Sequence, residues 1–204
     1  GLVGAALIAI AGTPLIGLLF ALSQGVPVVL LTYLAGLSRP VGASVQWYPI
    51  GRIVLWTAVL AGAVGLATSL LAGGDLDALR KAMRDLIEKV VTTELPQISG
   101  APTLGPAEID QLSDILFHIF PAASAMTTMV GLLVNLWLAG RITSASGRLQ
   151  RPWPDLAAIA YPAGAPLALA AATAGSFLDG YPGFAFAGFA GSLFVAYLII
   201  GLAI

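Results

Sequence analysis

From residue 53 to residue 72 the chain reads IVLWTAVLAGAVGLATSLLA, a run without a single charged side chain. At 1.5 Å per residue, a helix of that length covers about 30 Å, the thickness of a bilayer's hydrocarbon core. An ionised side chain at the bilayer centre costs roughly 2.5–3.5 kcal/mol on insertion scales, so an uncharged apolar run of this length marks a segment that lives in lipid. The rest of the chain is built the same way. All 19 Asp, Glu, Lys and Arg residues fall at Arg39, at Arg52, within 75–114, within 141–155 and at Asp179.

This charge map predicts an all-α, polytopic helical membrane protein forming a single domain over 1–204. About five full spans are expected, near 14–37, 53–72, 115–140, 156–178 and 183–204. The apolar run 1–12 is too short to cross and reads as a truncated helix. It carries neither a basic n-region nor a small-residue cleavage site, so the chain reads as a fragment lacking an N-terminal membrane region. Prolines punctuate the spans. Ser23-Gln24-Gly25-Val26-Pro27 predicts a kink or a local unwinding in the first, and Pro121 predicts a kink in the third. Pro162 and Pro166 fall inside the fourth, and Asp179-Gly180-Tyr181-Pro182 predicts a turn before the fifth.

Composition narrows the function classes. The chain is 58% hydrophobic and 9% charged, against about 25% charged in an ordinary soluble domain. A net charge of -1 argues against a nucleic-acid partner, which selects for a basic face. With no cysteine there is no disulfide framework, thiolate nucleophile or Cys-based metal site.

Basic residues in the loops set an expected orientation. Arg39 and Arg52 stand without an acid in 38–52, and Arg141, Arg148 and Arg151 face a single Asp155 in 141–155. Both loops therefore read as cytoplasmic. The segment 73–114 carries four basic and eight acidic residues, and it reads as the extramembrane piece on the opposite side. Within it Asp75 is the expected N-cap of an amphipathic helix, with Leu76, Leu79, Met83, Leu86 and Val90 on one stripe. Asp77/Lys81, Arg84/Glu88 and Asp85/Lys89 sit at i,i+4 spacing on the other face. Such a helix either lies on the membrane surface or caps the bundle.

Candidate ligand-binding residues are few. His118, the single histidine, follows Asp114 by one helical turn, and a carboxylate at that spacing can form a proton- or cation-sensing pair with it. The alternative is an interfacial histidine beside a solvated acid, because one histidine and one carboxylate make an incomplete metal site. Gln24 lies at the proline-interrupted stretch, and Asn135 inside the third span. Thr32, Thr68, Thr127, Thr128, Thr173 and Ser176 also lie within spans. Such groups need partners, found across helices or on a ligand. Trp47, Tyr48, Arg52, Arg141, Arg151 and Trp153 read as interfacial anchors at span ends. Small-residue pairs such as Ala5/Ala9, Ala61/Gly65 and Ala63/Ala67 discriminate nothing in a chain this rich in Ala and Gly.

No G-x-S-x-G elbow, H-E-x-x-H motif or P-loop occurs, and no ionisable residue lies in mid-span as proton-driven carriers keep one. The expectation is a protein that is not an enzyme and holds no cofactor and no metal. A lipid-acting enzyme would have only Asp114 and His118 as its acid/base pair.

Three motifs suggest a family. Trp47-Tyr48-Pro49-Ile50-Gly51-Arg52 enters a span, Asn135-Leu136-Trp137-Leu138-Ala139-Gly140-Arg141 leaves one, and Arg151-Pro152-Trp153-Pro154-Asp155-Leu156 opens the next. Together they resemble the YybS-like bacterial membrane proteins, a domain-of-unknown-function family, in a form that looks alphaproteobacterial. That family is distantly similar to the substrate-binding S-components of energy-coupling-factor vitamin transporters. The resemblance implies a multi-pass protein of the bacterial inner membrane that binds a small molecule and takes energy from partner subunits. Its pocket would open on the non-cytoplasmic side, lined by 73–114 and the polar residues near Gln24. The competing expectation is a structural or assembly factor whose arginine loops dock other proteins.

Overall fold

The computed structural model describes residues 14–73, 75–94, 104–155 and 159–203; the run 1–12 lies outside them. Helix α1 is a rod in three pieces, Pro14–Phe20, a π-helical turn Ala21–Gly25, and Val26–Gly36. Pro27 has no N–H to donate, and the turn widens so that Val26 N bonds Ala21 O instead. The interruption expected at Gln24 to Pro27 is therefore a π-turn inside a continuous helix, and the chain does not unwind there.

A two-stranded antiparallel hairpin follows, β1 Ser38–Val41 and β2 Ser44–Trp47, in register Ser38 to Trp47 and Val41 to Ser44. Gly42, at φ +60, supplies the left-handed residue of its two-residue turn. Arg39 Nε donates to Gln46 Oε1 at 2.8 Å across the strands. A loop was expected over 38–52, and this small hairpin is an addition to the otherwise helical fold.

Helix α2 spans Ile50–Gly73 and α3 spans Leu76–Lys89, with a π-turn at Val90–Glu94. Asp75 is the N-cap of α3, as expected, its Oδ1 accepting from Ala78 N at 2.6 Å. Helix α4 runs through Pro106–Ala145, 40 residues. The helical pattern that the sequence resumes over 106–120 runs unbroken into the span expected from about 115, because Pro106 suits a first turn and Glu108 reaches back to accept from Gly105 N at 2.7 Å. Pro121 sits inside this one uninterrupted helix.

The expected span 156–178 is not a full-length helix. Its described residues are helical only over α5, Ala165–Gly175, 11 residues or about 16 Å. Pro162 and Pro166 explain the late start, since Pro166 takes the helix's opening positions and the residues before it cannot extend the hydrogen-bond ladder. Helix α6, Gly180–Ala203, begins three residues earlier than expected, with Pro182 tolerated in its first turn. Among the described residues four helices are long and apolar enough to cross a membrane, over Ile16–Gly36, Ile50–Leu71, Pro106–Ala145 and Gly180–Leu202. The fold is that of a helical membrane protein.

The core lies where α2, α4 and α6 meet, with Ala58, Ala61, Met129 and Ala196 fully buried. Lipid tails are as apolar as leucine, so close packing rather than transfer from water holds such helices together. Small residues permit it. A methyl group on Gly191 would lie 2.7 Å from Ala122 O, and one on Gly62 would lie 2.5 Å from the Phe189 ring. Ala61 and Gly65 belong to this packed surface, Ala63 is exposed, and Ala5/Ala9 lies outside the described residues. Leu31 and Leu34 of α1 join Ile53 and Leu132 in a second cluster.

Most of the in-span hydroxyls bond a carbonyl of their own chain segment rather than reach across helices. Thr57, Thr68, Thr127 and Thr128 donate to the carbonyl four residues back in their own helix, and Ser176 donates to Thr173 O. That back-bonding satisfies each group locally.

Candidate functional site

Two helices with matching periodicity build one end of the molecule. Asp77, Arg80 and Arg84 are spaced by three and four on α3, and Asp110, Asp114 and His118 by four on α4, so each set shares a face. The helices run antiparallel across this seam. Arg84 Nε meets Asp110 Oδ1 at 2.6 Å, and Arg80 Nη2 meets Asp114 Oδ1 at 3.4 Å. The hydrogen bond and the charge of Asp110 together push the Arg84 guanidinium further above the usual arginine range. Arg84 also pairs with Glu88 at 3.4 Å, the expected i,i+4 contact, whereas Asp77/Lys81 and Asp85/Lys89 do not form ion pairs.

Arg80 has a second partner, its Cζ standing 4.5 Å from the centre of the Phe117 ring. His118 Nδ1 lies 2.8 Å from Asp114 O and 3.7 Å from Asp114 Oδ2. Asp114 and His118 thus stand side by side, but the ring bonds the backbone carbonyl rather than the carboxylate, which Arg80 shares. When Nδ1–H donates to the Asp114 carbonyl, Nε2 is the ring's acceptor.

Beneath α3 these residues open onto a cavity of about 280 Å³, completed by the turn between α5 and α6. Its floor is the buried pair Phe117 and Phe184, ring centres 6.0 Å apart, with Pro121 and Ala187 beside them. Its rim carries Asp77, Arg80, His118 and Asp179. The volume falls just below the usual range for small-molecule sites, about 300–1,000 Å³, and the apolar floor with a few polar groups is their usual make-up. Among the described residues no three His, Asp or Glu converge as a metal set.

Gln24 and Asn135 stand apart from this cavity. Gln24 is half-buried on the π-turn of α1, where a second, apolar cavity of about 190 Å³ separates α1 from α2 without touching it. Asn135 is exposed on α4, about 25 Å from His118 at 1.5 Å per residue. Arg80, Phe117, Asp179 and Phe184 were not foreseen as site residues, because contacts across a linker or across spans leave no local spacing to read.

The six expected anchors gather at the opposite end. Arg141 lies between Trp137 and Trp153, 5.8 and 5.3 Å from the ring centres. Arg151 Nη2 donates to Tyr48 O at 2.8 Å and Nη1 to Ala35 O at 3.4 Å, and burial lowers its pKa. Trp47 and Tyr48 are half-buried where the hairpin meets α2, and Arg52 is exposed in the first turn of α2.

No family model matches this chain, and neither a curated protein nor a solved structure does.

Proposed function

We propose that this protein is a non-enzymatic, transport-related subunit of the bacterial inner membrane that binds a small molecule in the cavity beneath α3 and depends on partner subunits for energy. The observation carrying the reading is the cavity itself, an aromatic floor with a charged rim at one end of a helical membrane bundle. The absence of a P-loop and of mid-span ionisable residues in the sequence supports dependence on partners. The three sequence motifs that resemble the YybS-like proteins, themselves distantly similar to S-components, are in keeping with this reading. On this reading the arginine-rich end faces the cytoplasm and the cavity opens on the other side.

Ala187 lines the cavity, so Ala187→Phe fills it from α6. A thermal-shift screen of small metabolites on the purified protein in nanodiscs is expected to yield ligands that raise the unfolding temperature of wild type and not of A187F. Ligands that stabilise both alike, or none at all, would sink the reading.

A second reading, a docking factor for other proteins, draws on the hairpin, whose residues 38–46 are all exposed beside Arg39, Arg52 and Arg148. Arg141 is stacked on tryptophan rings, so Arg39→Ala with Arg148→Ala is the sharper pull-down variant than one that includes Arg141→Ala. Undiminished partner recovery with that pair would remove the arginine end from the account.

A further inference from the structure

We infer that the ligand of this cavity is a small organic cation, an amine carried on a flat apolar body, an assignment that rests on the cavity being the binding site. The floor sets the body of the ligand. Phe117 and Phe184 are 8% and 7% exposed, their ring planes inclined at 45°, and between them and Pro121, Ala187 and Gly183 no polar side chain rises from the bottom. A sugar or other poly-hydroxylated solute would lose its water there without replacement hydrogen bonds. The one hydroxyl in the wall, Ser176, already donates to Thr173 O at 2.7 Å.

The rim sets the charge. Arg80 is the cation in the wall, and its charge is answered twice, by Asp114 at 3.4 Å and by the face of Phe117 at 4.5 Å. Asp77 and Asp179 line the same cavity, and neither forms an ion pair among the described residues. Asp77 sits in the first turn of α3, where the N-terminal end of the helix suits a carboxylate. The lining and its neighbour Asp114 thus present three carboxylates against one guanidinium and the imidazole of His118. An anion entering here would face the two carboxylates with no uncommitted cation to receive it, whereas an ammonium gains both.

The test uses three probes of one shape, 2-phenylethylamine, 3-phenylpropionate and 2-phenylethanol. Each is titrated at neutral pH onto the full chain in nanodiscs of uncharged phosphatidylcholine. The expected result is saturable binding of the amine that weakens with salt, with the carboxylate and the alcohol at least about tenfold weaker. Asp77→Asn with Asp179→Asn is expected to erase the preference, bringing the amine down to the alcohol. Arg148→Gln, at the far end of the molecule, is expected to leave all three unchanged. An unliganded unfolding temperature equal to wild type shows that the double variant is folded.

Equal binding of amine and alcohol, or stronger binding of the carboxylate, overturns the cation assignment while A187F-sensitive binding upholds the cavity. Binding that A187F does not affect, or no binding by any of the three, overturns both.

Discussion

Arg84 Nε lies 2.6 Å from Asp110 Oδ1, and this bond ties the surface helix α3 to the start of α4, 26 residues further along the chain. Both side chains are about half exposed, so the tie is weakened by salt. Asp110→Asn is expected to speed amide hydrogen exchange across 76–89 while leaving the unfolding temperature of the spans unchanged. In about 1 M salt, where the Debye length falls to about 3 Å, wild type should move toward the variant. Identical exchange in the two proteins would show that α3 is held by its apolar contacts alone.

The tight approach of α6 to its neighbours predicts a rank order. Gly191→Ala places a methyl against the backbone of Ala122, which has no room to move, and is expected to cost about 1–3 kcal/mol. Gly62→Ala meets the Phe189 ring, which can rotate away, and should cost less. Gly131→Ala meets nothing within 4 Å and should be neutral or slightly stabilising. Unfolding temperatures in detergent check the order, and G131A falling below G191A would refute the packing account.

Asp75 caps α3 through Ala78 N. Asp75→Ala is expected to lose about 1 kcal/mol of local helix stability, and Asp75→Asn most of it to recover. The readout is exchange at 76–79, the first turn of α3. A loss with Asn as large as with Ala would assign the effect to charge at the helix end rather than to the cap bond.

Arg151 forks between Tyr48 O and Ala35 O, and burial lowers its pKa without discharging it at neutral pH. A lysine has one point of charge where arginine has a planar fork. Arg151→Met is therefore expected to speed amide hydrogen exchange at Leu37 and Tyr48, whose N–H groups bond Leu34 O and Leu37 O where the hairpin closes, and Arg151→Lys to do so partially. Equal exchange in all three proteins would show that the loop is fastened elsewhere.

The sequence carries the spans plainly where charge is absent and propensity agrees, as over 53–72, and it carries α3 because Asp75 and its apolar stripe are local signals. It does not announce the half-length α5. The residues of 156–178 are as free of charge as those of 53–72, and Pro162 and Pro166 are the local hint that the ladder cannot start until Ala165. The hairpin was hidden because Pro40 and a fully exposed pattern, four residues in β1, give no inward-outward alternation. Half of the site was legible for the same reason of range. Asp114 and His118 are one turn apart and could be paired by spacing, whereas Arg80 reaches them across a linker and Asp179 from beyond α5.

Helix α4 has a consequence for where the protein can reside. Its 40 residues make a rod of about 60 Å, twice the thickness of the hydrocarbon core. From the Arg80–Asp114 pair to Arg141 in its tryptophan clasp, residues 114 to 141, it measures about 40 Å, close to a bilayer with its headgroups. Neither marker can sink into lipid without losing solvation. The helix is in effect a gauge fixed at both ends, and a thicker membrane would be met by thinning the lipid around it, a thinner one by tilting it.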